Sequence, residues 1–551
     1  MLASKKTSRF HFKNKRLVND LLKTLFFYVV VCLFYISGIT LILMITSHDS
    51  IINLPIIKDK FYGLASIALI RQVPSLILGF SLLVCGRAIA NRSAKAFYPT
   101  LIFLLLATLY TLVFYKSTAP TLLLALLAGL LFLSKDNLYR NQFIISHEDA
   151  FMDGFIWLFL IASYFILGYS NLVTSQKRSL VALEKHFAVP SLHWWLMGLL
   201  TLLAIIISLF LFLHLLKRKL YLIGSPFEEK RLEALLGKGD HHYTGLAFLQ
   251  DKRLWYYQQD NQDKVALQFS QVRDKLLVMG DLFGEDAYFE KALNHFMTEA
   301  DLYNFHPVFY EISEKQVMPV HDYGYDFIKL GEEGLVKPET FTLSGKKRQN
   351  LRSVMNQTQK AGYSFHVISP PYSDSLMVEL AKISEQWLDG RKEMGYSLGF
   401  FDPYYLSKGQ LALLISEAGQ IVAFSSLKRS HSENSLSVDL MRYLKEAPKG
   451  IMDVLFIHII EFAKEEGYDT FNIGMSPLSN VGRNRFSFFN EKLGNLIYQL
   501  GSQIYSFEGL RHYKAKFADK WTPYYIAYAK QSQFVFVILS LLLISYKKNE
   551  K

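Results

Sequence analysis

Asp439 and Arg442 stand three residues apart in the run Val438-Asp-Leu-Met-Arg-Tyr443, where acids and bases are unexpected unless a site needs them. Strand alternation puts Asp439, Met441 and Tyr443 on one face and Leu440 and Arg442 on the other. Downstream, Glu508, Arg511, Lys514 and Lys516 recur at near-helical spacing, and Ser476-Pro-Leu-Ser479-Asn480 forms a small-residue loop. These residue types fit proton handling and the binding of anions and polar groups. A carboxylate such as Asp439 can orient or deprotonate a hydroxyl, and the planar fork of Arg442 or Arg511 binds phosphate in two-pronged fashion. Lys514 suits a developing oxyanion or a phosphate. Ser479 and Asn480 can hydrogen-bond a polar group, and Glu508 can receive a cation. Each assignment has a structural rival: Asp439–Arg442 as a strand-end salt bridge, and Glu508, Arg511 and Lys514 as a solvated helical face. No GxSxG, HExxH, Walker or GxGxxG pattern occurs, so no nucleophile is placed. That leaves either no chemistry or direct transfer between two bound substrates.

The elements that must position these residues form one strand-helix-strand unit. After 438–443 comes a break at Pro448 and Gly450. A helix follows over Ile451–Lys464, stopped by Gly467, and then a strand, Thr470–Met475, that runs into the Ser476 loop. Upstream, 243–248, 266–269, 275–280 and 307–312 read as strands and 287–301 as a helix. A basic helix carries Lys346, Lys347, Arg348 and Arg352, with no acid between Ser344 and Tyr363. It is a candidate phosphate-binding face, against the rival of a merely exposed basic run. Pro370-Pro371 marks a boundary, after which a helix (375–388) and strands (411–416, 421–428) lead back to the unit above. Alternating strands and helices predict α/β layers.

Composition separates the halves. Residues 1–219 hold 22 Lys/Arg against 8 Asp/Glu, whereas the remainder holds 38 against 40, so the basic balance belongs to the first part. Apolar segments at 24–46, 62–85, 97–115, 119–133, 151–172 and 192–216 predict about six transmembrane helices. Their inner flanks carry 15 Lys/Arg and the outer loops six, which predicts a multi-pass protein of the cell membrane with its soluble domains cytoplasmic. Arg71, inside one segment, is either a functional buried charge or a side chain that snorkels to the interface. Cys32 and Cys85 allow no disulfide framework. His241-His242 lacks a third ligand and reads as solvent-exposed, so no metal and no cofactor is expected. His147-Glu148-Asp149 reads as an interface turn. The apolar run 534–546 is too short for a comfortable span and reads as an interfacial or docking helix.

Several ordered motifs resemble one family. FNIGMSPLSNVG (471–482), VDLMRY (438–443) and YSFEGLRHYKAKFADKWTPYYIAY (505–528) are similar to the aminoacyl-phosphatidylglycerol synthases, the multiple peptide resistance factors. GDLFG (280–284), the run from FIKLGEE (327–333) to Gly345-Lys346, and LRSVMNQTQKAGYSF (351–365) match the preceding half. The resemblance implies tandem GNAT-like (acetyltransferase-like) domains behind an α-helical transmembrane domain. The segments expected are a membrane domain (1–219), a first GNAT-like domain (220–371), a second carrying the active site (372–530) and an apolar tail (531–551). It also implies transfer of an amino acid, most often lysine, from aminoacyl-tRNA to a hydroxyl of phosphatidylglycerol, which lowers surface negative charge and resists cationic peptides. The implied partners are Lys-tRNA, phosphatidylglycerol and the membrane, with a homo-oligomer left open. With those substrates the resemblance implies that Ser479 and Asn480 hydrogen-bond the ester or the amino-acid amine, that Glu508 could instead receive that amine, and that Lys346, Lys347, Arg348 and Arg352 contact tRNA or lipid headgroups. Full-length members carry a longer membrane region with a flippase module, and this chain departs from them there. Competing readings are another acceptor (a glycosylated diacylglycerol or a peptidoglycan precursor) and a flippase or scaffold with inactive GNAT domains.

Overall fold

The computed structural model describes residues 2–46, 72–115, 118–170, 192–215, 221–500 and 507–545. The chain divides into two compact units, one running to Tyr221 and the other from Leu222 onward apart from Asp301–Asn304.

The first unit contains helices α1 (Leu2–Thr46), α2 (Gln72–Ala90), α3 (Phe97–Tyr110), α4 (Thr118–Leu133), α5 (His147–Ser170) and α6 (Leu192–Leu215). Among the described residues, Leu21–Ile42, Ala94–Val113 and His147–Ile166 are long and apolar enough to cross a membrane. Leu76–Ala90, Pro120–Leu133 and Trp195–Ile207 are apolar but shorter. Small residues let α1 and α2 touch: a Cβ on Gly38 would meet the Gly79 carbonyl at 2.7 Å. Arg87 at the end of α2 donates to Asp153 at 2.8 Å and to Asp149 at 2.6 Å on α5. The segment expected to be an interface turn, His147-Glu148-Asp149, is therefore the first turn of a helix tied to its neighbour. The outer-loop cations, Lys217-Arg218-Lys219 and Arg71 lie outside the described residues.

The second unit is built on one 11-stranded sheet. Its strands are β1 (Arg253–Gln259), β2 (Gln262–Val272), β3 (Lys275–Gly284), β4 (His306–Ser313), β5 (Tyr325–Val336), β6 (Ser364–Ile368), β7 (Gln410–Ile415), β8 (Ile421–Ser430), β9 (Ser435–Tyr443), β10 (Thr470–Pro477) and β11 (Lys520–Ala529). They lie in the order β1-β2-β3-β4-β11-β5-β10-β9-β8-β7-β6. Two neighbouring pairs are parallel, β3–β4 and β9–β10. A helix makes each crossover: α7 (Phe289–Leu302) and, further on, α10 (Ile451–Glu465). Between them in the chain come α8 (Gln349–Lys360) and α9 (Asp374–Leu388). After α10 follow α11 (Phe489–Leu500), α12 (Phe507–Lys514) and α13 (Phe534–Ser545). One parallel, helix-crossed pair in each half of a shared sheet is the tandem GNAT-like arrangement. The expected boundary at 371 falls within that sheet. β6 lies before it yet forms the outer strand beside β7, and the late strand β11 sits between β4 and β5.

α10 packs its apolar face (Val454, Leu455, Ile457, Ile459, Ile460) into a core with Leu440, Phe471 and Ile473. The second core gathers Leu254, Leu277, Phe283 and Val308, and α13 adds Val537, Leu541 and Ile544. The apolar tail is thus a docked helix. Two expectations need correction. Tyr243–Phe248 is no strand but part of a 3-10 helix, His242–Leu249, whose side chains are nearly all buried. The basic run begins as a 3-10 turn, Lys346–Arg348, and the α-helix starts only at Gln349.

Candidate active site at the splayed strands

β9 and β10 are paired only at their first residues, Ser435–Ser437 against Thr470–Asn472. Beyond that point each strand goes its own way. β10 stays on β5 but carries a bulge between Asn472 and Met475, where Gly474 takes φ +80°. The bulge turns the Met475 carbonyl to the Lys514 ammonium at 2.7 Å, and a Cβ on Gly474 would stand 3.2 Å from that nitrogen. The candidate residues flank this divergence.

Lys514, the last residue of α12, is buried and makes no ion pair among the described residues. Burial pushes its ammonium down to about 8, against the pull of Glu333 and Glu311. Around it lies a buried polar cluster from β4, β5 and the 242–249 helix. Glu333 accepts from the His242 ring at 2.8 Å, from Asn472 Nδ2 at 3.0 Å and from the Tyr243 hydroxyl. Burial alone would push His242 down and Glu333 up. Their mutual charge wins, so His242 lies above the ordinary histidine range and Glu333 below the carboxylate range. Glu311 goes the other way: burial and the Glu333 charge raise it to about 8. His242 is therefore no exposed histidine. Its side chain is only 10% exposed, and a carboxylate 91 positions away receives it.

Asp439 belongs to a separate cluster. Its Oδ1 accepts the Gly399 N–H at 2.9 Å and its Oδ2 the Tyr405 hydroxyl at 2.5 Å. Next to it, buried Lys428 donates to the Tyr405 carbonyl at 3.0 Å and lies 3.8 Å over the Tyr405 ring. Burial lowers this lysine to about 8, with Asp439 opposing. Asp439 and Arg442 do not pair. Arg442 points the other way, donating to Glu393 at 2.8 Å and stacking 4.1 Å from Trp387. Glu393 also accepts the Phe401 N–H at 3.2 Å, so Arg442 anchors the loop that brings Gly399 to Asp439.

Glu332 gathers three more residues. It accepts from Lys329 at 2.6 Å and Asn480 at 2.9 Å, and pairs with Arg511 at 2.5 Å. The Arg511 guanidinium also lies 3.4 Å over Trp521. Ser479 is fully buried, and its hydroxyl has no hydrogen-bond partner among the described residues. The side chains of Glu508 and Lys347 lie outside the described residues. Lys346 is exposed, whereas Arg348 and Arg352 turn inward, onto the carbonyls of Thr342 and of Leu343 and Gly345.

A cavity of about 380 Å³ is lined by His242 and Thr244 on one side and Lys408, Lys428, Arg429 and Tyr468 on others, a wall rich in donors. No group of three or more His, Cys, Asp or Glu among the described residues is placed to hold a metal. Sequence reasoning missed Glu311, Glu333, Tyr405, Lys428 and Glu393. Only Glu333 carried a signal, inside the FIKLGEE motif.

A family model described as "Phosphatidylglycerol lysyltransferase, C-terminal" matches residues 233–528. The phosphatidylglycerol lysyltransferase of Bacillus subtilis (strain 168) is 42% identical over 330 residues, covering 60% of this chain and 38% of that protein. The one from Staphylococcus aureus (strain COL) is 31% identical over 487 residues, covering 87% of this chain and 56% of that protein. The solved structure of L-PGS from Bacillus licheniformis superposes with a TM-score of 0.54 at 39% identity, over 60% of this chain and 100% of that one. The chain thus spans about half or less of the length of the curated relatives it matches. Through residues 233–528 it belongs to the phosphatidylglycerol lysyltransferase family, by the C-terminal domain of that family.

Proposed function

We propose that the chain transfers lysine from lysyl-tRNA to a glycerol hydroxyl of phosphatidylglycerol, at the cleft where β9 and β10 part. An aminoacyl ester is already activated, so the exchange requires no ATP and no covalent enzyme intermediate. The lipid hydroxyl oxygen forms a bond to the ester carbonyl carbon, the bond to the ribose oxygen breaks, and one proton passes from the lipid hydroxyl to the ribose oxygen. The protein's part is to hold both substrates, exclude water and stabilise the negative oxygen in between.

In this reading Lys514 faces the developing oxyanion, Asp439 orients the attacking hydroxyl, and Ser479 hydrogen-bonds the ester. Arg442 is a positioning residue that holds the Gly399 loop against Asp439. Arg511 and Asn480, both engaged by Glu332, support the floor of the donor site. The lysine side chain is cationic, and Glu333, held below the ordinary carboxylate range, carries the opposite charge in the cluster. The domain organisation that goes with this is a membrane domain (1–219), two GNAT-like domains (220–371 and 372–530) and a docked tail. The membrane is crossed several times and the second unit faces the cytoplasm, where charged tRNA is found. The lysyl lipid lowers surface negative charge and so resists cationic peptides.

The observation that carries this reading is Lys514: an ammonium buried beside a strand bulge, donating to the Met475 carbonyl, with Glu333 and Glu311 of the neighbouring cluster favouring its charge. Mass spectrometry of lipids from cells with and without the chain tests it. Phosphatidylglycerol heavier by one lysyl residue is expected with the native chain and absent with Lys514→Met. An unchanged lipid profile would refute it.

A further inference from the structure

Between β10 and α11 the chain reads Val481-Gly-Arg-Asn-Arg-Phe-Ser-Phe-Phe489. Its three phenyl rings point into solvent: Phe486 is 77% exposed, and Phe488 and Phe489 are each 79% exposed. The display is built rather than slack. Asn484 Oδ1 accepts the Phe486 N–H at 3.1 Å, the Ser487 N–H donates to the Asn484 carbonyl at 3.0 Å, and Glu491 accepts the Phe488 N–H at 3.2 Å. Lys492 Nζ donates to the Arg485 carbonyl at 2.7 Å. At the foot of the loop Gly482 takes φ +62°, and a Cβ there would stand 2.0 Å from the Glu491 carbonyl, so the loop is pressed onto α11. Single exposed apolar residues are ordinary, but three large rings together on an ordered loop mark a surface that meets a partner.

The charges name the chemistry of that partner. Arg483 and Arg485 are exposed, no acid occurs from Val481 to Asn490, and the Arg485 guanidinium lies 4.5 Å over the Phe486 ring. Rings at the tip with guanidinium groups beside them match the boundary of an anionic bilayer, where aromatics enter the acyl edge and cations meet lipid phosphates. A nucleic acid would call for a groove of cations tracking its backbone, with rings spaced to stack successive bases. Here two arginines stand beside three phenyl rings, and the apolar share dominates. We infer that this loop docks the second unit on an anionic bilayer surface, with Phe486, Phe488 and Phe489 immersed and Arg483 and Arg485 on the phosphates. Phe486 follows Asn480 by six residues in the chain, so docking would hold the membrane at the β10 end of the candidate site.

The test uses the full chain in vesicles, with Cys32→Ser, Cys85→Ser and Ser487→Cys, the last labelled with an environment-sensitive dye. Vesicles of phosphatidylcholine, with or without phosphatidylglycerol, carry a doxyl-labelled lipid as quencher. The expected result is a blue-shifted emission quenched several-fold more than that of the same dye at Ala418→Cys, an exposed turn position. Quenching should deepen with the anionic lipid and fall when Phe486, Phe488 and Phe489 are all changed to Ser in a chain with unchanged melting. A dye that responds only to aqueous iodide would overturn the proposal. So would one shielded by added tRNA, or only at concentrations where two copies associate. The readout is position, not turnover, so its failure leaves lysyl transfer standing, and a failure of lysyl transfer leaves the docking standing.

Discussion

Gly399→Ala should disable the chain while leaving it folded. The Gly399 N–H and the Tyr405 hydroxyl hold the two oxygens of Asp439 from different sides. A methyl group at 399 would stand 1.9 Å from Oδ2 and 2.6 Å from Cγ, where side chains need 3.0 Å, so the carboxylate must retreat by about 1 Å. That retreat breaks a hydrogen bond to a charged group, worth about 1.5–3 kcal/mol. A reacting group displaced by about 1 Å costs on the order of 100-fold in rate, which is about 2.7 kcal/mol of barrier. The assay is the initial rate of lysyl-lipid formation by the full chain in phosphatidylglycerol vesicles, with thermal unfolding in detergent measured alongside. The expected pair of results is a rate lower by about two decades and a unit that still melts cooperatively. Native turnover in Gly399→Ala would refute the role given to Asp439.

Lys514→Met should lower the rate on the order of 100–1,000-fold, the usual loss of one oxyanion donor. In the native chain the rate should fall as pH rises through about 8, where Lys514 gives up its proton. Glu311 gains its proton on folding, since its carboxyl is raised to about 8 from the ordinary 4.5. The neutral carboxyl therefore contributes stability that is fully present below about 4.5 and lost as pH rises through about 8. Glu311→Gln should flatten the dependence of the melting temperature on pH across that window. Glu393→Ala strands Arg442, a side chain 10% exposed, and should cost about 3 kcal/mol. Denaturant unfolding would measure the loss, and Arg442→Ala should add little to it. Leu541→Ala empties part of the α13 contact and should cost about 2–5 kcal/mol, again read by unfolding.

The unit that organises the site was legible because its signals are local. Period-two alternation across 438–443, a proline-glycine break, a helical stripe from Ile451 and a glycine stop at Gly467 all agree with one another. Where local signals fail, so did the reading. Tyr243–Phe248 is mostly apolar, and a short run of that kind fits a buried helix as well as a strand. The insertion of β11 between β4 and β5 depends on pairing across the whole unit, which no window of sequence displays. The site divides in the same manner. Asp439 and Arg442 were conspicuous as charges on a strand, and Lys514 by its near-helical spacing from Glu508 and Arg511. The partners lie far away in the chain: Gly399 is 40 positions from Asp439 and Glu393 49 from Arg442. For the same reason the sequence suggested an Asp439–Arg442 pair that alternation itself makes unfavourable, since the two side chains leave opposite faces of β9.

The most direct measurement supplies the purified full chain, in phosphatidylglycerol vesicles, with tRNA charged with labelled lysine, and follows the label into extracted lipid. The account predicts label in a lysyl-phosphatidylglycerol species, abolished when the charged tRNA is digested with ribonuclease beforehand and absent with Lys514→Met. Label that enters the lipid after complete ribonuclease digestion, or no labelled lipid from the native chain, would contradict it.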